Sequence, residues 1–220
     1  MSSVFVANLP YLLKGAVYTI TLSVVTIGLG LLLGGVLGVL ACYGSKPIKA
    51  IIAIYVFVFR GLPVLIVVFL FYYVPPIWGF NLDVYVSAAM ALVFYSASFI
   101  TEIVRGAIGA IPAPQIDAAK SLGLKTVPTL WLIVLPQALR FSLPPLLNNT
   151  IMSIKVTSYS SVVGVWELTF AAREVVERTL AAFEIFAGVM AIYFLLCFPL
   201  SVLSSRLERT LSIPSSHRER

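Results

Sequence analysis

The chain has 220 residues, of which 60% are hydrophobic and 11% charged, with a net charge of +6 and a mean hydropathy of +1.02. One packed core cannot hide that much apolar side chain from water, so a soluble globular domain is excluded. The basic residues do not form a stripe; they sit beside apolar runs, where anionic lipid attracts them, and no nucleic-acid partner is expected.

A helix that crosses a hydrocarbon core of about 30 Å needs about 20 predominantly apolar residues. Five stretches qualify: 11–43, 50–74, 84–104, 130–154 and 183–204. They are apolar on every face rather than alternating, which argues against a β-barrel. The opening MSSVFVANLP has no basic n-region, and the apolar run after it is too long for a signal-peptide core, so the first helix is expected to stay. Within that helix Gly30, Gly34 and Gly38 recur every four residues, a smooth stripe against which a second helix can pack closely. The second segment is interrupted by Arg60, Gly61 and Pro63. The third closes with Glu102 and Arg105 at helical spacing, read chiefly as a local interfacial ion pair. A semi-polar loop, about 110–129, follows. The fourth segment carries Pro136, Pro144 and Pro145 and is expected to be kinked or broken. Residues 164–179 hold Glu167, Arg173, Glu174, Glu177 and Arg178, and read as an outer amphipathic segment or a solvated loop helix.

Orientation follows from the basic residues. With the amino terminus outside, the inner side receives Lys46, Lys49, Arg105, Lys120, Lys125, Arg206, Arg209, Arg218 and Arg220, whereas the outer side receives only Lys14, Arg173 and Arg178. The positive-inside rule therefore puts the amino terminus out and the carboxyl terminus in the cytoplasm. Cys42 and Cys197 stand alone and read as small buried hydrophobes; His217 sits in a solvated tail. No metal, disulfide or cofactor is expected in this chain. It lacks a phosphate-binding GxxxxGK[ST] loop, HExxH and GxSxG, so it reads as a conduit rather than an enzyme.

Two polar places inside the spans call for partners. Arg60 lies well into the bilayer by helical rise. Two readings of it stand: a charge satisfied by carbonyls freed at the Gly–Pro break or by snorkelling, or a group in a solute pathway. The run Asn148, Asn149, Thr150, Ser153, Lys155, Thr157, Ser158 ends the fourth segment. Lys155 could attract a carboxylate and Asn149 could both donate and accept, as a cavity for a small zwitterion requires; interhelical hydrogen bonding is the other reading. The candidate pathway set is Arg60, Leu62, Tyr95, Ser96, Asn149, Lys155, Val156 and Ser158.

The loop carries the most specific signal. Asp117-Ala118-Ala119, three residues, Gly123, nine residues, then Ile133-Val134-Leu135-Pro136 resembles the EAA loop of ABC importer permeases at every spacing. A short helix is expected to start near Asp117, with the acidic residue at its positive end, a slim Ala118–Ala119 face and a tight turn at Gly123. Phe59-Arg60-Gly61-Leu62-Pro63, Glu102-Ile103-Val104-Arg105-Gly106-Ala107-Ile108, Leu135-Pro136-Gln137-Ala138-Leu139-Arg140 and Val163-Gly164-Val165-Trp166-Glu167-Leu168 are similar to boxes of the polar amino-acid uptake branch of that family.

The resemblance implies an all-α membrane protein with the type I ABC importer permease fold and five transmembrane helices, in the bacterial cytoplasmic (inner) membrane. It also implies a second permease subunit, two cytoplasmic ATPase subunits that hold ATP and Mg, and an extracytoplasmic solute-binding protein. The loop around Asp117, Ala118, Ala119, Ser121, Leu122 and Gly123 would couple to the ATPase. ATP-driven closure of the ATPase pair would move that loop as a lever and open the cavity outward. Two acidic groups of the pattern are missing: Asn149 stands where several members have Glu, and Val156 where many have Asp. A cationic side chain would lack both carboxylates in a cavity of reduced dielectric, and Leu62, at the usual Thr, makes the site more apolar still, so arginine or lysine is not the expected cargo. The alternative from another class is an ion-coupled secondary transporter or channel using Arg60 and Glu102 as intramembrane charges.

Overall fold

A computed structural model describes residues 3–211, so His217, Arg218 and Arg220 lie outside the described residues. Every regular element among the described residues is helical. Among the described residues, four helices are long and apolar enough to cross a membrane, or five if a bent pair counts as one span.

The first helix, α1 (Ser3–Tyr43), starts earlier than residue 11 and runs 41 residues, about 60 Å at 1.5 Å per residue. Its glycine stripe is the seam with α4 (Val84–Gly109). A methyl group at Gly34 would stand 2.7 Å from the Ala97 carbonyl oxygen and the Ile100 Cβ, and one at Gly38 would stand 2.6 Å from the Val104 Cβ. Only glycine lets the two backbones come this close.

The span expected over 50–74 is instead two helices, α2 (Lys46–Gly61) and α3 (Val64–Ile77), bent by 109°. Pro63 explains the break. It has no N–H to offer the Phe59 carbonyl, and its ring forces Leu62 into an extended conformation (φ −96°, ψ 141°). The third span is α4, capped at its start by the Asp83 side chain, which accepts from the Tyr85 N–H at 2.8 Å.

The loop helix α5 (Ala113–Ser121) begins four residues before Asp117, which therefore sits mid-helix and not at the positive end. Pro112 and Pro114 set the start, since proline suits the first turn, where its missing N–H would have no intrahelical partner. At the other end Gly123 takes φ +80°. Its N–H bonds the Lys120 carbonyl at 2.9 Å while the Leu124 N–H reaches the Ala119 carbonyl at 3.1 Å, a Schellman cap.

The fourth span is one helical rod over Thr126–Val163, made of α6 (Thr126–Thr129), a π-turn (Leu130–Val134), α7 (Leu135–Val156) and a 3₁₀ turn (Thr157–Val163). It is not broken at Pro144 and Pro145, because their fixed φ is itself helical and only the bonds to the Arg140 and Phe141 carbonyls are forfeited. The irregularity lies upstream of Pro136. There the Leu135 N–H bonds the Leu130 carbonyl five residues back, widening the turn ahead of the proline ring. Gly164 (φ +95°) turns the chain into α8 (Leu168–Thr179), and α9 (Ala182–Leu211) completes the order.

Apolar packing divides into three clusters. One joins Leu12 and Ala16 of α1 to Leu168, Ala171 and Val175 of α8 and Ile185 of α9. A second joins α3, α4, the end of α7 and the 3₁₀ turn through Val67, Val68, Leu92, Val156 and Val163. The third fastens the loop, with Ile108 and Ile111 against Val134 and Ala138. Many large apolar side chains remain exposed, including Phe57, Met190, Phe194 and Leu195, as expected of faces turned to lipid or to another membrane subunit.

Candidate functional site: a charged cavity and a docking helix

Two concavities meet at one ion pair. The larger, about 680 Å³, is bordered by Lys49, Phe57, Arg60, Phe99, Glu102 and Arg105. The smaller, about 440 Å³, lies between α4 and α7 and is bordered by Arg60, Phe99, Glu102, Asn148, Asn149 and Met152. Arg60, Phe99 and Glu102 belong to both, so the guanidinium and the carboxylate stand at the neck between them.

The break after Gly61 places Arg60 on the last turn of α2, where it reaches across to α4. Its Nη1 lies 3.7 Å from Glu102 Oε2 and its guanidinium 5.3 Å from the centre of the Phe99 ring. Arg60 is thus paired to a carboxylate and an aromatic face, not to freed carbonyls. Glu102 is also held from its own helix: Arg105 donates from Nε to Oε1 at 2.8 Å and from Nη2 to Oε2 at 2.7 Å. The expected Glu102–Arg105 pair is therefore present with a third member. One carboxylate between two guanidiniums, with Lys49 on the same rim, leaves the cavity net positive and suited to an anionic group.

The remaining candidates separate. Asn149 donates to Ser96 Oγ at 3.0 Å, and Ser96 shares a hydrogen with Ser153 Oγ at 3.1 Å, so this trio ties α7 to α4 while Asn149 lines the smaller cavity. Tyr95 is half-buried with its ring 5.1 Å from that of Phe99. Leu62 and Val156 pack into the second apolar cluster. Lys155 is exposed, and Ser158 donates to the Lys155 carbonyl at 2.8 Å. Phe99 lines both cavities with no mark in the sequence reading, and Asn148, named in the polar run but not in the pathway set, lines the smaller one. Glu102 was assigned to a local pair because nothing in a helical period shows that α2 ends opposite it.

Glu167 is the largest departure from the sequence reading, which left it in a solvated or amphipathic segment. It is fully buried. Its Oε1 accepts from the Phe170 N–H at 3.0 Å, capping α8, and its Oε2 accepts from Thr19 of α1 and Tyr193 of α9, each at 3.1 Å. The available signal was its place directly ahead of an amphipathic run, the N-cap position.

At the opposite end α5 projects from the bundle. Ala119 faces inward, whereas Ala118, Ser121 and Leu122 are exposed, Leu122 by 82%. Asp117 pairs with Lys120 at 3.6 Å, both well exposed. Gln137 donates to Gln115 Oε1 at 2.7 Å, bracing α5 on α7. α5 is thus a short helix, capped at Gly123 and braced on α7, with an exposed apolar tip at Leu122.

A family model described as "Binding-protein-dependent transport system inner membrane component" matches residues 27–213. The chain belongs to that family. It is the permease component of an ABC-type importer of the bacterial inner membrane, which favours this reading over an ion-coupled carrier or channel. Among curated relatives, the glutamine transport system permease protein GlnP of Escherichia coli (strain K12) is 34% identical over 208 residues, covering 93% of this chain and 94% of that protein. The L-cystine transport system permease protein TcyB of Bacillus subtilis (strain 168) is 33% identical over 203 residues, covering 92% and 87%. Among solved structures, one described as an amino acid ABC transporter with histidines superposes with a TM-score of 0.87 at 30% identity, covering 94% of this chain and 96% of that one.

Proposed function

We propose that this permease carries a polar, uncharged-side-chain amino acid or related zwitterion inward, with Arg60 receiving the carboxylate and Glu102 the ammonium. The observation that carries this is the Arg60–Glu102 pair at the neck of two cavities. A zwitterionic headgroup supplies one partner for each ion, and Arg105 continues to hold Glu102 while Arg60 turns to the solute. Asn149 offers an amide, not a carboxylate, to the solute side chain, and Val156 is buried away from the cavity, so a cationic side chain gains nothing there. The named relatives, permeases for glutamine and cystine, support an amino-acid cargo.

In this reading the amino terminus is outside, and a second permease, a copy or a paralogue, completes the pathway. A solute-binding protein delivers the cargo, and two cytoplasmic ATPase subunits supply ATP hydrolysis with Mg. Asp117, Ala118, Ser121, Leu122 and Gly123 present the docking face, with Ala119 packed behind it. The test is ATP hydrolysis by the purified complex with its binding protein, assayed against a panel of amino acids. Neutral polar amino acids should stimulate it. Stimulation by arginine that is lost on changing Asn149 would overturn the assignment.

A further inference from the structure

Helix α5 is tied to the bundle in two ways. Ile116 is half-buried in the apolar cluster that holds Ile108, Val134 and Ala138, and Ala119 is buried. Apolar contact has no preferred direction, so such a surface can slide. The second tie is directional. Gln137, on the first turn of α7, donates from Nε2 to Gln115 Oε1 of α5 at 2.7 Å, and from the same nitrogen to the Ile133 carbonyl at 2.9 Å. An amide nitrogen carries two hydrogens, and both are committed, which fixes this side chain between α5 and the π-turn.

The π-turn interrupts α-helical winding just ahead of Gln137. Pro136 brings no N–H to the ladder, so a rung is missing beside the turn. Single wide turns of this kind recur at functional sites in helices. From Gln137 to Asn149 the chain is one continuous helix, α7, and by helical rise the two residues lie about 18 Å apart. Asn149 lines the smaller cavity and bonds Ser96 of α4. A displacement of α5 therefore has a directional route to the cavity, through Gln115, Gln137 and the rod of α7.

We infer that Gln137 is a positioning residue of the transport cycle: its amide delivers the displacement of α5 to α7 through Gln115, with the π-turn as the joint at which α7 swings. The inference rests on the importer reading above. Its chemical requirement is an acceptor at position 115 and a donor at position 137.

The test is the number of ATP molecules hydrolysed per solute imported. It is measured on the permease–ATPase complex with its binding protein in proteoliposomes, using a labelled neutral amino acid that stimulates hydrolysis. Gln115→Leu leaves no acceptor and Gln137→Leu no donor, whereas the carboxylate of Gln115→Glu still accepts. Q115L and Q137L should each raise the ratio at least about threefold, the scale of one net hydrogen bond. Q115E should keep the parental ratio, and the double leucine variant should be no worse than Q137L alone. A brace with a structural role only would lower the unfolding temperature and leave the ratio unchanged, which would overturn the inference. So would Q115E as uncoupled as Q115L, leucine effects that add, or loss of the ATPase from Q115L, which would make Gln115 a docking contact. ATP-independent uptake by the unmodified complex would refute the importer reading and the inference with it, whereas ATP-driven uptake with an unchanged ratio in Q115L refutes the inference alone.

Discussion

Replacing Glu167 gives the sharpest separation between a structural carboxylate and an incidental one. Glu167→Ala removes the α8 cap, a loss of about 1 kcal/mol, and deprives the Thr19 and Tyr193 hydroxyls of a charged acceptor, about 1.5–3 kcal/mol each. Part of this is offset, because no charge need then be kept out of water, and because the Tyr193 hydroxyl keeps Thr169 Oγ1, 3.2 Å away, as an acceptor. The net is about 3–4 kcal/mol, or about 10 °C of thermal stability at roughly 2–4 °C per kcal/mol for a chain of this size. Glu167→Gln keeps an acceptor for the Phe170 N–H, and both hydroxyls can rotate to accept from its amide, so its cost should be about 1 kcal/mol. Thermal unfolding of the detergent-solubilised complex reads both variants. If E167A unfolds within about 2 °C of the parent, or if E167Q is as damaged as E167A, the description of Glu167 as an acceptor among neutral donors is wrong.

Further outcomes follow from other contacts. Gly34→Ala should destabilise the α1–α4 seam by about 1–3 kcal/mol, whereas Gly35→Ala, with open space around it, should not; comparing their unfolding temperatures checks this. Arg60→Ala should raise the KM for uptake about 10- to 100-fold, the equivalent of one charge-assisted hydrogen bond, without loss of the complex, since Arg105 still holds Glu102. Asp117→Lys breaks only an exposed pair, worth less than about 1 kcal/mol. Its unfolding temperature should therefore match the parent while coupled uptake falls at least tenfold.

What the sequence made legible was whatever depends on neighbours along the chain. Apolar runs located the spans, the Gly30–Gly34–Gly38 spacing marked a close-packing face, and Gly123 announced a turn. The break at Gly61-Leu62-Pro63 was visible as punctuation, but its 109° bend was not, because the angle depends on what α3 packs against. The site was only half legible. Arg60 was marked as needing a partner and Glu102 as having one, yet the two were not joined, since a link over 42 positions is decided by which helices meet. Val156 drew attention for the carboxylate it lacks, but it is packed inside the core. Glu167 escaped for the same reason in reverse: its acceptor role is fixed by Thr19 and Tyr193, on the first and last helices, and neither is near it in sequence.

The central claim is that transport through this chain is energised by a partner ATPase acting on α5 and not by an ion gradient. Uptake into proteoliposomes of a labelled neutral amino acid that stimulates ATP hydrolysis by the complex, with and without the ATPase subunits and binding protein, tests it directly. The account predicts accumulation only when both partners and ATP are present, and its loss with Asp117→Lys. Accumulation driven by a proton or sodium gradient through this chain without an ATPase would contradict it.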